Sequence, residues 1–127
     1  MTPMDKPKYT AAELFAAQAL ASQAKKELTE NILPYWLQKT CKGDTGFHGR
    51  ISGEEIIDPE APVGAIMTSR ILWTFSNAYR LFRREEYRAM AERARNLIFN
   101  NFFDNEQGGT YWSIKPDGSP LDTKKQI

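Results

Sequence analysis

At 127 residues the chain is the size of one ordinary domain and long enough to bury roughly two-thirds of the surface its unfolded form exposes. Its apolar and charged fractions, 41% and 26%, are those of a globular protein in water. A net charge of +1 with no basic run offers no field to hold nucleic acid, and no window approaches the roughly 20 apolar residues of a membrane span. Cys41 is the only cysteine, so an internal disulfide is excluded and a reducing compartment is the natural home. Glu13 and Gln18 interrupt the Ala-rich run near the N-terminus, which argues against a signal peptide. The expected location is the cytoplasm.

Residues 1–10, with two prolines and three lysines or aspartates, read as a flexible leader to a domain spanning 11–127. Thr10 and Glu13 form a capping box, the hydroxyl taking an early helix N–H while the carboxylate reaches back. A first helix is expected from Ala11 to near Leu37, with Leu14, Ala17, Ala21, Ala24, Leu28, Ile32 and Tyr35 on its apolar face. Pro34 lacks a backbone donor, so a kink or early end is expected there. Residues 41–64 form a long connection rich in Gly, Asp and Pro, and GFHGRI (46–51) within it reads as a short extended segment.

Residues 66–82, IMTSRILWTFSNAYRLF, form a second helix of a different kind. At about 100° per residue, Met67, Ile71, Phe75, Ala78 and Phe82 make one apolar stripe, and Ile66, Trp73 and Leu81 make another well round from it. A helix apolar on most sides is a buried one. Arg70 and Asn77 nevertheless fall inside the second stripe, where a cation and an amide need partners or a ligand. After a break at Arg83 and Arg84, a third helix is expected over 85–103 with Tyr87, Met90, Ala91, Ala94, Leu97, Ile98 and Phe102 on its one apolar face. GTYWSI (109–114) and the turn Pro116 to Ser119 follow, and from Leu121 the sequence looks ready to begin a fourth helix.

The order is therefore one-sided helix, buried helix, one-sided helix, which is how outer and inner layers alternating along a chain would read. GFHGRI and GTYWSI each follow a one-sided helix, a weak internal repeat. One unit of such a repeat cannot bury its inner face alone, so the chain reads as part of a larger array.

NILPYW (31–36), GFHGRI (46–51), SRILWTFSNAYR (69–80), GGTYW (108–112) and PLDTKKQ (120–126) resemble, in order and spacing, the N-terminal part of the cellobiose 2-epimerases, a branch of the N-acylglucosamine 2-epimerase family. The resemblance implies an all-α fold, part of an (α/α)6 barrel with short β segments in the long loops. It implies interconversion of sugars epimeric at C2 of the reducing-end residue, such as glucose and mannose units, with no metal or organic cofactor. The implied route opens the ring, removes the C2 proton to give an enediolate, and returns a proton on the other face. It assigns the acid and base to histidines on later inner helices, so no catalytic residue is expected in this chain, and a family tyrosine falls past Ile127. The resemblance also implies that Arg70 faces the barrel interior and helps bind substrate oxygens. Ser69 stands where many relatives carry Asn.

From the residues alone, Arg70 is either a ligand contact, its charged fork holding sugar oxygens and a developing enediolate, or one half of a buried ion pair; the resemblance favours substrate contact. Asn77 reads better as an inter-helix hydrogen-bond partner. His48, the only histidine, is chemically suited to proton transfer but reads as a loop residue packed under a strand. Trp73 reads as core, whereas Trp112, in a loop at one end of the barrel, is open between packing and stacking on a sugar. Cys41 has no companion at metal-ligand spacing, and Gly108 and Gly109 lack the surroundings of a phosphate loop. The acidic pair Glu54 and Glu55 has no second element aimed at it. The isolated chain is expected to be inactive and to expose the inner face of 66–82, with self-association or a complementary fragment covering it. The rival reading is a non-catalytic helical interaction module. Within the enzyme class, an N-acylglucosamine 2-epimerase or a mannose isomerase would share the fold.

Overall fold

A computed structural model describes residues 5–125. Its elements in chain order are α1 (Ala11–Glu27), a π turn (Leu28–Ile32), α2 (Leu33–Lys39), β1 (Cys41–Lys42), β2 (Gly46–Phe47), β3 (Val63–Gly64), α3 (Ala65–Phe82), α4 (Glu85–Leu97), a second π turn (Ile98–Phe102), β4 (Ser113–Ile114) and β5 (Pro120–Asp122). Two compact units divide the chain, 1–36 and 37–127.

In the first unit, α1 begins as its sequence dictates. Thr10 Oγ1 accepts from the Glu13 N–H at 3.1 Å and Glu13 Oε2 accepts from the Thr10 N–H at 2.7 Å, satisfying two donors that a helix start leaves unpaired. The expected kink at Pro34 takes the form of a π turn just upstream, where the Leu33 N–H donates to the Leu28 carbonyl five residues back. Widening the helix there relieves the clash a proline ring makes with the preceding turn, and the chain then continues helically to Lys39. No residue of α1 is buried; Leu14, on the expected apolar face, is half exposed, as is Ile32 in the π turn. Of the expected leader, residues 5–9 are exposed and form no helix or strand, and residues 1–4 lie outside the described residues.

The second unit is built on α3 and α4, which pack against each other. Ile71, Phe75 and Ala78 of α3 are buried, as are Tyr87, Met90, Ala94 and Leu97 of α4 and Phe102 beyond it. Rings interlock across the pair, Phe75 to Tyr87 at 6.0 Å and Phe82 to Tyr87 at 6.2 Å between centroids, geometry that adds to simple area burial. The break between the helices falls at the expected residues. Arg83 closes α3 in the left-handed region (φ 53°), its N–H on the Tyr79 carbonyl, and Arg84 is extended. Thr68 is fully buried with its hydroxyl donated to the Gly64 carbonyl at 2.9 Å, which removes the cost of an unpaired buried hydroxyl.

One stripe of α3 is thus core, and the other is not. Ile66, Trp73 and Leu81 are 48%, 71% and 62% exposed, so the expectation of a helix buried on most sides is corrected here. Among the described residues that second stripe stands open.

The long connections are ordered by short antiparallel pairings. β1 pairs with β2, and β4 is the centre of a β3-β4-β5 sheet. GFHGRI does contain extended backbone at Gly46–Phe47 and a bridge from Ile51 to Ile57. Gly49 is required by close approach: a Cβ there would sit 2.6 Å from the Ala61 carbonyl oxygen and against that of Pro62. Arg93 of α4 donates to the carbonyls of Gly46 at 2.7 Å and Gly43 at 2.9 Å and lies over the Phe47 ring. It clamps the β1-β2 hairpin to α4. The fourth helix expected from Leu121 is a strand instead. The Asp122 carbonyl accepts from the Trp112 N–H at 2.9 Å, so residues 120–122 spend their backbone groups on the sheet; residues 126–127 lie outside the described residues.

Candidate functional site

The start of α3 and the loop between the second π turn and β4 converge in one place. The Ala65 N–H, unpaired within its own helix, donates to the Trp112 carbonyl at 3.0 Å, and the Trp112 N–H donates to Asp122. These two bonds fix Trp112 between a helix N-terminus and a strand. The result is a concavity of about 500 Å³ lined by Ala65, Ile66, Ser69, Arg70, Gly109, Thr110, Tyr111, Trp112, Lys124 and Lys125. Arg70 and Trp112, singled out separately in the sequence, share it.

Arg70 is exposed on the open stripe of α3, one turn from Trp73. Among the described residues no carboxylate pairs with it. Its guanidinium is therefore an uncommitted fork of donors at the concavity wall, suited to oxygen-rich ligands. Trp112 is half buried, and the Lys124 ammonium lies 4.8 Å from the centre of its ring. One face of the indole is thus taken by a cation, and the residue lines the concavity. Lys124 is also 3.6 Å from Asp122.

Asp104 and Lys125 were not singled out in the sequence. The Asp104 carboxylate is nearly buried. Its Oδ1 accepts from the Glu106 and Gln107 N–H groups, each at 3.0 Å, and its Oδ2 accepts from the Lys125 ammonium at 2.6 Å. The Lys125 hydrogen bond, then that of Gln107, holds the carboxyl below the usual carboxylate range against the opposing effect of burial, with the Glu106 N–H and the lysine charge adding to the lowering. The signal for the turn was present in DNEQGG, an aspartate whose side chain can hold the N–H groups two and three residues on. The pairing with Lys125 comes from a strand return that no local pattern announces.

The remaining candidates lie elsewhere. Asn77 donates to the Trp73 carbonyl at 2.8 Å and accepts from Arg80 at 3.3 Å, so the inter-helix partnership expected for it is replaced by bonds within its own helix. His48 is half buried, its N–H on the Thr40 carbonyl at 2.8 Å, and its Nδ1 is buried with no partner; it does not line the concavity. Trp73, read as core, is exposed. Cys41 donates to the Met90 sulfur at 3.5 Å, and burial pushes its thiol up despite the opposing charge of Arg93, which leaves it an inert thiol at neutral pH. Glu54 lines a larger, shallower hollow of about 670 Å³ among residues 50–59 that contains neither Arg70 nor Trp112, and Glu55 sits in a tight turn with φ 61°. Among the described residues no three His, Cys, Asp or Glu side chains are placed to hold a metal ion, and no helix is long and apolar enough to cross a membrane.

Mostly helical, with small sheets in its long connections, the chain is a segment of an (α/α)6 barrel, the fold of the solved structures it matches. The sequence profile of the N-acylglucosamine 2-epimerase (GlcNAc 2-epimerase) family matches residues 46–127, and the chain belongs to that family. It is 51% identical to cellobiose 2-epimerase of Bacteroides fragilis over 111 residues, 87% of this chain and 28% of the relative. Against cellobiose 2-epimerase of Ruminococcus albus it is 39% identical over 106 residues, 84% of this chain and 27% of that one. Among solved structures, cellobiose 2-epimerase from Spirochaeta thermophila superposes with a TM-score of 0.79 at 34% identity, covering 91% of this chain and 28% of that one. A sugar epimerase from a ruminal bacterium gives 0.78 at 38% identity, covering 82% and 27%. The chain thus spans little more than a quarter of the length of the relatives it matches.

Proposed function

We propose that residues 11–127 form the N-terminal part of a single (α/α)6-barrel domain of a cytoplasmic sugar 2-epimerase. The intact enzyme would interconvert glucose and mannose units at the reducing end of cellobiose-like disaccharides. The observation that carries the reading is the shared concavity of Arg70 and Trp112 at the open stripe of α3, in a chain half identical to a cellobiose 2-epimerase. An uncommitted guanidinium there holds the oxygens of the reducing-end sugar and favours the negative charge of an enediolate. The Trp112 ring, which lines the same concavity, offers an apolar surface for a sugar ring. The proton-transfer pair is supplied by residues this chain does not contain, since His48, its only histidine, lies away from the concavity. Cytoplasmic placement is supported by the lone, reduced Cys41.

The test is incubation of the full-length protein with cellobiose in deuterated water, followed by NMR. The expected product is the mannose-ended epimer carrying deuterium at C2, and the isolated 127-residue chain is expected to form none. A full-length protein that leaves cellobiose unchanged and exchanges no C2 proton overturns the assignment. The exposed Ile66, Trp73 and Leu81 favour, as a second reading, a module whose open helix face binds another protein; that reading stands only if the full-length protein is inactive.

A further inference from the structure

The concavity has a third ligand-suited group besides Arg70 and Trp112. Lys125 has three N–H donors, and one is committed to Asp104 at 2.6 Å. Two remain, on a side chain that lines the concavity and keeps 32% of its surface open. Long flexible lysines on a surface ordinarily lose too much rotamer freedom to serve as precise donors. This one is held at both ends. Its stem crosses Gly109, where a Cβ would stand 3.4 Å from Lys125 Cδ, so the glycine (φ 75°) leaves the groove in which the stem lies. Its ammonium is seated on a carboxylate that is itself fixed by two backbone N–H groups. The turn that carries Asp104 is closed as well, by the Asp104 N–H on the Gly109 carbonyl at 2.9 Å.

The pairing also sets the chemistry. An ammonium neutralised by an adjacent carboxylate does not call for an anionic ligand. It presents directed donors to neutral oxygens, which is what a sugar hydroxyl requires, while Arg70 keeps the uncompensated charge. We propose that Lys125 is a further substrate-binding group of this site, donating to a hydroxyl of a neutral sugar, and that Asp104 is its positioning residue. The inference rests on the sugar-epimerase reading above for the class of ligand.

The experiment measures the dissociation constant of cellobiose by calorimetry, with kcat and KM in parallel, on the full-length protein and its Lys125→Met, Asp104→Asn and doubly substituted forms. Losing a hydrogen bond from a charged donor is expected to weaken binding by about tenfold or more, with kcat within about threefold, since the contact is made equally before and during reaction. Asp104→Asn is expected to weaken binding less and to add nothing once Lys125 is gone, because it acts only through the lysine. A Lys125→Met protein that binds cellobiose within twofold of the parent overturns the proposal, as does an Asp104→Asn effect of the same size with and without Lys125. The two readings fail differently. A parent protein that binds cellobiose without epimerising it refutes the epimerase assignment while these constants still judge Lys125, and a parent that binds no cellobiose refutes both.

Discussion

At the scale of single residues, the candidate site divides into what local chemistry announces and what the return of the chain creates. Arg70 was legible because a cation inside an apolar stripe is a conflict visible in the sequence. Trp112 was visible as a ring in a loop, but whether it packs or binds depends on Lys124 covering one of its faces. Asp104 was not legible, since an aspartate in a Gly-rich turn is usually solvated, and its partner is Lys125, 21 residues on. That pairing has a consequence in acid. The folded carboxyl titrates below its ordinary value, chiefly because of the Lys125 hydrogen bond, so its contribution to stability is complete above the unfolded pKa of about 3.9. It is lost as pH falls through the lower folded value. The stability difference between the parent and Asp104→Asn, followed by urea unfolding, is expected to be constant from neutral pH to about 5 and to shrink below about 4. A difference that persists unchanged to the lowest pH measured would contradict the assignment.

At the scale of elements, helices were the legible part. The capping box, the break at Arg83 and Arg84, and the apolar face of α4 all follow from short-range rules. Of the two π turns, the first follows from Pro34, though a kink rather than a π turn is what the proline announces. The strand at Leu121 was missed because its partner, β4, is set by tertiary pairing. In α3 the period gave both stripes but not which of them this chain covers. Phe75 is 1% exposed and Trp73 is 71% exposed, so the two aromatic residues should respond differently. In the 127-residue chain, Phe75→Ala is expected to cost about 3–5 kcal/mol, and Trp73→Ala no more than about 0.5 kcal/mol, by chemical unfolding. In the full-length protein the Trp73 substitution is expected to become costly as well, because barrel closure buries that stripe. Equal, small Trp73 effects in both would argue that the stripe stays open.

At the scale of the whole molecule, the alternation of outer and inner helices and the weak repeat pointed to a part of a larger array, and the relatives extend more than three times as far along their own chains. On the proposed reading, the open stripe of α3 is a wall that further helices complete, and the Arg70 guanidinium on it is the group that ties fold to chemistry. The central claim is that Arg70 contacts the reacting sugar in the completed barrel. Its most direct test is the rate of C2 deuterium exchange into cellobiose by the full-length protein carrying Arg70→Met, with folding checked by circular dichroism. Removing one donor that stabilises developing charge is expected to lower the rate by about 100-fold or more. A folded Arg70→Met protein that exchanges C2 within threefold of the parent would contradict the claim.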